Sequence, residues 1–344
     1  MEVKGNQGRK ERPTRQEKLR VLTWHIHGNY LYYLNQAPLE FYLPKGEGAG
    51  YGGRAPGFDW GDNVHDVPIE QVKDLDFDVI LFQHRKNYEV DQYEILSEAQ
   101  RRLPKIYLEH DPPQEHPTNT SHWVDDPSML LIHVTDFNRL MWDSNGTPTA
   151  VIDHGVMVPD NVKYTGEHAK GIVVVNNMHK RGRRLGLDVF EKIREQIPLD
   201  LVGMGSTELG GLGEVSHDEL PAFVARYRFF FNPIRYTSLG LSVCEAMMTG
   251  LPIVGLATTE MVTAVESGKR GYVETDVDKL IERMRYLLND HDHARELSRN
   301  AREYATRRFN IQRFASDWQR IVSNFVQNIP KKQPLSAEYS VARQ

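Results

Sequence analysis

The sequence predicts a two-domain α/β protein whose sheets are parallel and whose ligand site lies between them. Three observations carry this. Short β-branched or aromatic runs alternate with longer helical patterns along the chain, which is the pattern of βα units. A polar stretch bearing proline and glycine, 159–170, separates two sets of such units and marks a domain boundary. Strand after strand ends in glycine or polar residues: His25-Ile-His-Gly-Asn29, Gln83-His-Arg85, Glu109-His-Asp111, Asn176-Asn177, Gly203-Met-Gly205 and Asn232-Pro233. Open α/β sheets bind ligands beyond the carboxyl ends of their strands, so two such edges facing each other would frame one cleft.

Taken in order, strands are expected at 21–26, 78–82, 105–108, 130–134 and 149–152, then at 171–175, 199–202, 229–231, 252–256 and 271–273. Helical spacing covers 93–102, 187–196 and 277–288, and 30–34 reads as a helix face packed on the sheet. Residues 38–67 are rich in glycine, proline and aromatics. They are too long for a connecting turn, so either a functional loop or flap, or a partly ordered segment, is expected there. The segment 311–326 puts Phe314, Trp318, Ile321, Val322 and Phe325 at helical spacing, an amphipathic final helix. The expected division is a disordered basic arm at 1–19, domains at 20–160 and 161–310, the final helix at 311–329 and a flexible tail at 330–344.

Bulk properties narrow the class. Of the 344 residues 40% are hydrophobic and 26% charged, ordinary for a soluble globular chain. No apolar run approaches the roughly 18 to 20 residues of a membrane span, and no apolar signal segment opens the chain, so a cytoplasmic protein is expected. The single cysteine, Cys244, excludes an internal disulfide and is expected in the core. A net charge of −5 argues against general nucleic-acid binding. The basic arm (Lys4, Arg9, Lys10, Arg12, Arg15, Lys18, Arg20) is still a candidate for contact with anionic lipid or nucleic acid. His110, His116 and His122 lie six residues apart with prolines between. That is not a compact ligand set, and no metal is expected.

The most informative stretch runs from Asn232 to Gly255. A strand-like run ends at Asn232, a glycine-bearing turn follows, and a helical pattern then puts Leu241, Cys244 and Met248 on one face with Glu245 inside it. The free amides of a helix start, around Leu239 to Ser242, hold a phosphate without needing a side chain. A carboxylate one turn further on, Glu245, accepts hydrogen bonds from a sugar diol. Together they describe a nucleotide pocket. Lys180 and Arg181, in the basic loop Lys180-Arg-Gly-Arg-Arg184 after a strand end, would neutralise its diphosphate. Gly28 permits close backbone approach after the first strand, and His27, Asn29 and His84 sit on strand ends where an acceptor would pass. No Gly-x-Gly-x-x-Gly follows the first strand, which speaks against a dinucleotide-dependent dehydrogenase.

From 171 to 309 these pieces fall in an order that resembles the GT-B fold glycosyltransferases, in particular the large retaining group known as family 4. The resemblance runs through the basic loop, Val202-Gly-Met-Gly205, the 233–245 stretch and Ala246-Met-Met-Thr-Gly-Leu-Pro-Ile-Val254. It continues through Glu266-Ser-Gly-Lys-Arg-Gly-Tyr-Val273 and the segment from Ala301 to Asn310. In the first half it rests on His110 and on His154-Gly-Val156, which looks like the family's interdomain turn. It implies two Rossmann-like domains and a final helix that returns to the first. It also implies a nucleoside diphosphate sugar donor held mainly by the second domain. A hydroxyl acceptor, whether saccharide, lipid-linked or other, would be held mainly by the first. Transfer would retain the anomeric configuration, with no obligatory metal and no other cofactor.

Carried onto this chain, Glu245 matches the second glutamate of the family's Glu-x7-Glu motif, and Leu239, Gly240 and Leu241 match the amides at the donor phosphate. Thr237 and Ser238 open that motif, and Gly203 and Gly205 fall on the donor side. His110 matches the histidine near the transferred sugar, which with Glu245 makes it the expected catalytic pair. Two departures stand out: Thr237 replaces the first glutamate, and Leu185-Gly186 occupies the usual Lys-Gly place. Two other readings stay open: a nucleotide-binding partner protein without transfer, which Thr237 supports, and a sugar-nucleotide epimerase on the same architecture, which would need acid/base carboxylates facing one carbon.

Overall fold

The computed structural model describes residues 18–26, 28–48 and 50–328. His27, most of the basic arm and the residues from 329 onward lie outside the described residues. Within them the strands form two all-parallel sheets. The first contains β1 (Arg20–Thr23), β2 (Glu40–Lys45), β3 (Val64–Pro68), β4 (Val79–Phe82), β5 (Lys105–Glu109), β6 (Leu130–His133) and β7 (Thr149–Val151). Their order is β3-β2-β1-β4-β5-β6-β7. The second contains β8 (His168–Val174), β9 (Leu199–Val202), β10 (Tyr227–Asn232), β11 (Ile253–Leu256) and β12 (Gly271–Glu274), in the order β12-β11-β10-β8-β9. This is a two-domain α/β fold.

Each sheet reverses its winding once, between β1 and β4 in the first and between β8 and β10 in the second. Crevices open at such switch points because the neighbouring crossovers leave to opposite faces. Of the six polar strand ends singled out above, four follow β1, β4, β8 and β10, so the topology places those four at the two crevices.

Residues 38–67 are partly ordered, the second of the two expectations for them, since they contain β2 and β3. Both were hidden by composition. β2 buries Phe41, Leu43 and Pro44, but the proline reads as a strand breaker. β3 is an edge strand with only Val64 and Val67 buried and a terminal Pro68, a pattern edges tolerate. The expected helix at 93–102 is broken into a short α-helix (Gln92–Ile95), which continues a π-turn (Asn87–Asp91), and a 3-10 turn (Gln100–Arg102). Ser97 and Gln100 cap each other there, Gln100 N–H to Ser97 Oγ at 3.2 Å and Ser97 N–H to Gln100 Oε1 at 2.9 Å. That local pairing restarts the helix instead of extending it.

The final helix, Ile311–Asn328, returns to the first domain. It buries Phe314, Trp318 and Val322, and Trp318 and Val322 lie over Val21, Phe41, Leu81 and Ile106 of the first sheet. Gly155 is required by this return, because a Cβ there would stand 2.2 Å from the Cβ of Phe314. Arg308 ties the halves together, binding Asp153 at 2.6 Å and Glu260 at 2.7 Å. Glu260 in turn accepts Phe137 N–H from the first domain at 3.2 Å. Cys244 is fully buried. Among the described residues no helix is long and apolar enough to cross a membrane.

Candidate active site

On the second-domain side, β10 ends at Asn232 because Pro233 has no amide to continue the ladder. The turn that follows leads into the helix Leu241–Thr249, whose N-cap, Gly240, is extended and offers no side chain. Its first closing bond is Val243 N–H to Gly240 O at 3.0 Å, so the amides of Leu241 and Ser242 open the helix ahead of it. Thr237, Gly240 and Leu241 are half-buried, while Ser238 and Leu239 are buried. The basic loop is held on this turn. Arg183 and Arg235 each reach Asp188 at 2.5 Å, and Arg184 Nε donates to Tyr236 O at 3.2 Å. Gly186, at φ +80°, touches the turn so closely that a Cβ would lie 1.9 Å from Pro233 O. Lys180 and Arg181 are left exposed, and among the described residues no ion pair engages either of them. Gly203 and Gly205 take φ of +125° and +70°, and Met204 N–H donates to Asn176 Oδ1 at 2.9 Å. That bond joins the ends of β8 and β9.

On the first-domain side the polar groups are wired to one another. Thr23 Oγ1 donates to Leu81 O at 2.9 Å. Gln83 Nε2 donates to Thr23 Oγ1 at 3.0 Å and to Trp24 O at 2.8 Å. Both amide protons are thereby committed, so Gln83 Oε1, 3.1 Å from His110 Nε2, can only accept. The Nε2 of His110 therefore carries a proton. The turn around His110 is fixed as tightly: Asn138 Nδ2 donates to His110 O at 3.0 Å and Trp142 Nε1 to Asp111 O at 2.8 Å. Glu109 accepts Asp111 N–H at 2.9 Å and His122 Nε2–H at 3.1 Å, while His122 Nδ1 accepts Val124 N–H at 3.0 Å. Burial pushes the Glu109 carboxyl up to about 8 and the His122 imidazole down to about 3. His84 is exposed, and its Nδ1 accepts Lys86 N–H at 3.1 Å. Gly28 opens the helix Gly28–Leu34 and faces open space.

Glu245 is where the two sides meet, and it is not an open acceptor. Only 7% of it is exposed. Its Oε1 accepts the Tyr33 hydroxyl at 2.7 Å and Asn29 Nδ2 at 3.4 Å. Asn29 Nδ2 also lies 3.0 Å from His217 Nδ1, and the Tyr33 oxygen 3.5 Å from His217 Nε2. One assignment of protons satisfies all of these contacts. Asn29 donates to Glu245 and to His217 Nδ1, Tyr33 donates to Glu245, and His217 Nε2–H donates to the Tyr33 oxygen. The result is a closed hydrogen-bonded ring across the cleft, with the His217 imidazole packed against Tyr32 and Phe58 at centroid distances of 5.7 and 5.4 Å.

Residues 169–290 match the family model described as Glycosyl transferases group 1. Over nearly its whole length the chain also superposes on sucrose-phosphate synthase from Thermosynechococcus elongatus. The TM-score is 0.65 at 14% identity, covering 90% of this chain and 100% of that one. The chain has the GT-B fold, and residues 169–290 within it resemble the group 1 glycosyltransferases. HepE from Anabaena, solved in complex with UDP-glucose, gives a TM-score of 0.61 at 13% identity, over 89% of this chain and 100% of its own. Trehalose synthase of Thermococcus litoralis is 28% identical over 165 residues, 40% of this chain and 40% of that relative. The chain thus aligns with less than half the length of that relative.

Within the GT-B cleft, Glu245 and Asn29, expected on opposite substrates, come together at 3.4 Å. Thr237 to Leu241 and the Lys180–Arg181 loop share one crevice, joined through Gly186 and Arg184. His110 belongs to a separate network, but the ring of Tyr30 meets it edge-on at 4.7 Å. One short helix, Gly28–Leu34, therefore touches both His110 and Glu245. Tyr33 and His217 were not singled out from the sequence. Tyr33 reads as part of a packing face, and His217 lies in a polar run without a motif. Gln83 was visible as a strand-end residue, though not as the partner of His110.

Proposed function

We propose that this protein transfers a glycosyl group from a nucleoside diphosphate sugar to a hydroxyl acceptor, with retention of anomeric configuration and without an obligatory metal. The observation that carries the reading is the crevice after β10. A bare helix start and a carboxylate one turn on follow β10, and two exposed cations follow its neighbour β8. The amides at Leu239 to Ser242 would take the diphosphate and Glu245 the ribose, with Gly203 and Gly205 allowing close approach of the nucleotide. Lys180 and Arg181 would stabilise the charge that grows on the departing diphosphate. His110, turned by Gln83 and Asn138, would face the transferred sugar. Gly28 would allow close approach of the donor, and the acceptor hydroxyl, guided by His27, Asn29 and His84, would attack from the side the leaving group departs, its proton passing to a phosphate oxygen. Positioning and electrostatics then supply most of the rate.

Relatives named for making trehalose and sucrose phosphate favour a sugar acceptor, and HepE solved with UDP-glucose favours a uridine nucleotide. Domain limits at 160/161 and 310/311, and a cytoplasmic location, belong to the same reading. Thr237, where the family pattern has glutamate, favours one alternative: a protein that binds the nucleotide without transferring the sugar.

A thermal-shift screen over UDP, GDP, ADP, CDP and dTDP and their sugars tests the donor site. A ligand at a hundred times its dissociation constant stabilises by about 2.7 kcal/mol. Product anomers read by NMR with the active pair then test retention. Absence of any shift across the panel would overturn the donor site, and binding without turnover would favour the alternative.

A further inference from the structure

We infer that Tyr33, with Asn29 and His217, belongs to the donor site: its hydroxyl and the Asn29 amide stand on Glu245 in place of the two ribose hydroxyls. The inference rests on the donor reading of Glu245. Asn29 and Tyr33 are four residues apart on the helix Gly28–Leu34, so their side chains share a face. They present two donors to one carboxylate from one side, as a sugar diol does. Both converge on Oε1, at 3.4 and 2.7 Å. Burial and then the Glu245 charge push the Tyr33 phenol well above its ordinary value, so the hydroxyl keeps its proton and donates.

The ring is more than a chance contact because every member is used. His217 accepts from Asn29 and donates to Tyr33, and its ring is packed by Tyr32 and Phe58. With Glu245 only 7% exposed, a ribose hydroxyl takes Oε1 only after Tyr33 and Asn29 withdraw. Donor and first domain therefore compete for one carboxylate. The fraction of molecules with the ring open sets the apparent affinity, because the observed dissociation constant is the intrinsic one divided by that fraction. Residues that never touch the nucleotide thus set how tightly it binds.

The inference makes an unusual prediction: removing a polar group from the site should tighten binding. UDP, GDP and ADP are titrated by calorimetry into wild type, Tyr33→Phe, Asn29→Ala and Glu245→Gln, with near-UV circular dichroism checking the fold. Tyr33→Phe keeps the buried ring and should bind the preferred nucleotide at least fivefold tighter. Asn29→Ala, at a half-exposed position, should act in the same direction more weakly, and it carries the test if Tyr33→Phe fails to fold. Glu245→Gln should weaken binding at least tenfold. Weakening by Glu245→Gln together with unchanged or weaker binding in Tyr33→Phe would overturn the competition while leaving the donor site in place. Unchanged binding in Glu245→Gln, or no binding by any variant, would overturn the donor site and the competition with it.

Discussion

The two rims of the cleft satisfy their polar groups in opposite ways. Along the first-domain rim, Thr23, Gln83, Glu109, His110, His122, Asn138 and Trp142 are joined to one another or to main chain. Such a rim is preorganised. Along the second-domain rim, the arginines beside the turn are engaged by Asp188 and by Tyr236 O, while Lys180 and Arg181 stand exposed. The helix start at Leu241 adds unmatched amides. One rim fixes geometry and the other holds uncompensated positive potential. A reaction that moves negative charge onto a leaving diphosphate needs both, and it needs them on opposite walls.

That contrast holds only while the rims stay face to face, and the join at Arg308 gives the largest expected effect. Arg308→Leu leaves Glu260, 4% exposed, without its cation. Breaking a buried pair in this way costs about 3–5 kcal/mol, so the urea midpoint should fall sharply. A loss below about 1 kcal/mol would mean the domains are held elsewhere.

Next in size is the open rim. The double variant Lys180→Ala with Arg181→Ala should weaken nucleoside diphosphate binding by roughly thirtyfold to 150-fold, at about 1–1.5 kcal/mol for each of the two contacts. The parent nucleoside should bind as before, and the dependence on salt should flatten. Equal weakening of nucleoside and diphosphate would place the phosphates elsewhere.

The wired rim should respond in the opposite sense. Gln83→Leu removes the acceptor that fixes the His110 proton on Nε2, so turnover should drop by about tenfold while nucleotide affinity stays within twofold. The imidazole nitrogen shifts of His110 should report mixed tautomers. A change in affinity with turnover intact would exchange the roles given to the two rims.

The smallest effect is a pH dependence. The folded Glu109 carboxyl is raised from 4.5 to about 8, so the stability it contributes is present below about 4.5 and is lost as pH rises toward 8. His122 is lowered from 6.5 to about 3, so its contribution is complete above 6.5 and lost on acidification. Between about 6.5 and 8 Glu109 acts alone of this pair, and stability should decline by at most about 1.4 kcal/mol per unit. Glu109→Gln should flatten that decline in urea titrations at pH 6.5, 7.2 and 8. A slope unchanged by the substitution would assign it to another group.

Much of the fold was legible because it rests on local pattern. The runs that became β4, β5, β9 and β10 are apolar and short, and parallel strands buried on both faces leave that trace. The Asn232–Gly255 stretch was legible for the same reason, since turn, cap and apolar face follow each other within one segment. β2 and β3 were not legible, because Pro44 and Pro68 carry the wrong local signal and only pairing, of β2 with β1 and of β3 with β2, rescues them. The break at Ser97 was missed because a side-chain cap outcompeted helical periodicity.

What the chain's own order of residues decided is the two-sheet architecture, the returning helix and the identity of the groups at each strand end. Those follow from periodicity and from chemistry carried by neighbours in sequence. Only the tertiary structure decided that Tyr33 and Asn29 lie on Glu245, 212 and 216 residues away along the chain, and that Gln83 directs His110. Hydrogen bonds between distant segments leave no periodic trace, because they depend on how two separately folded domains close on each other.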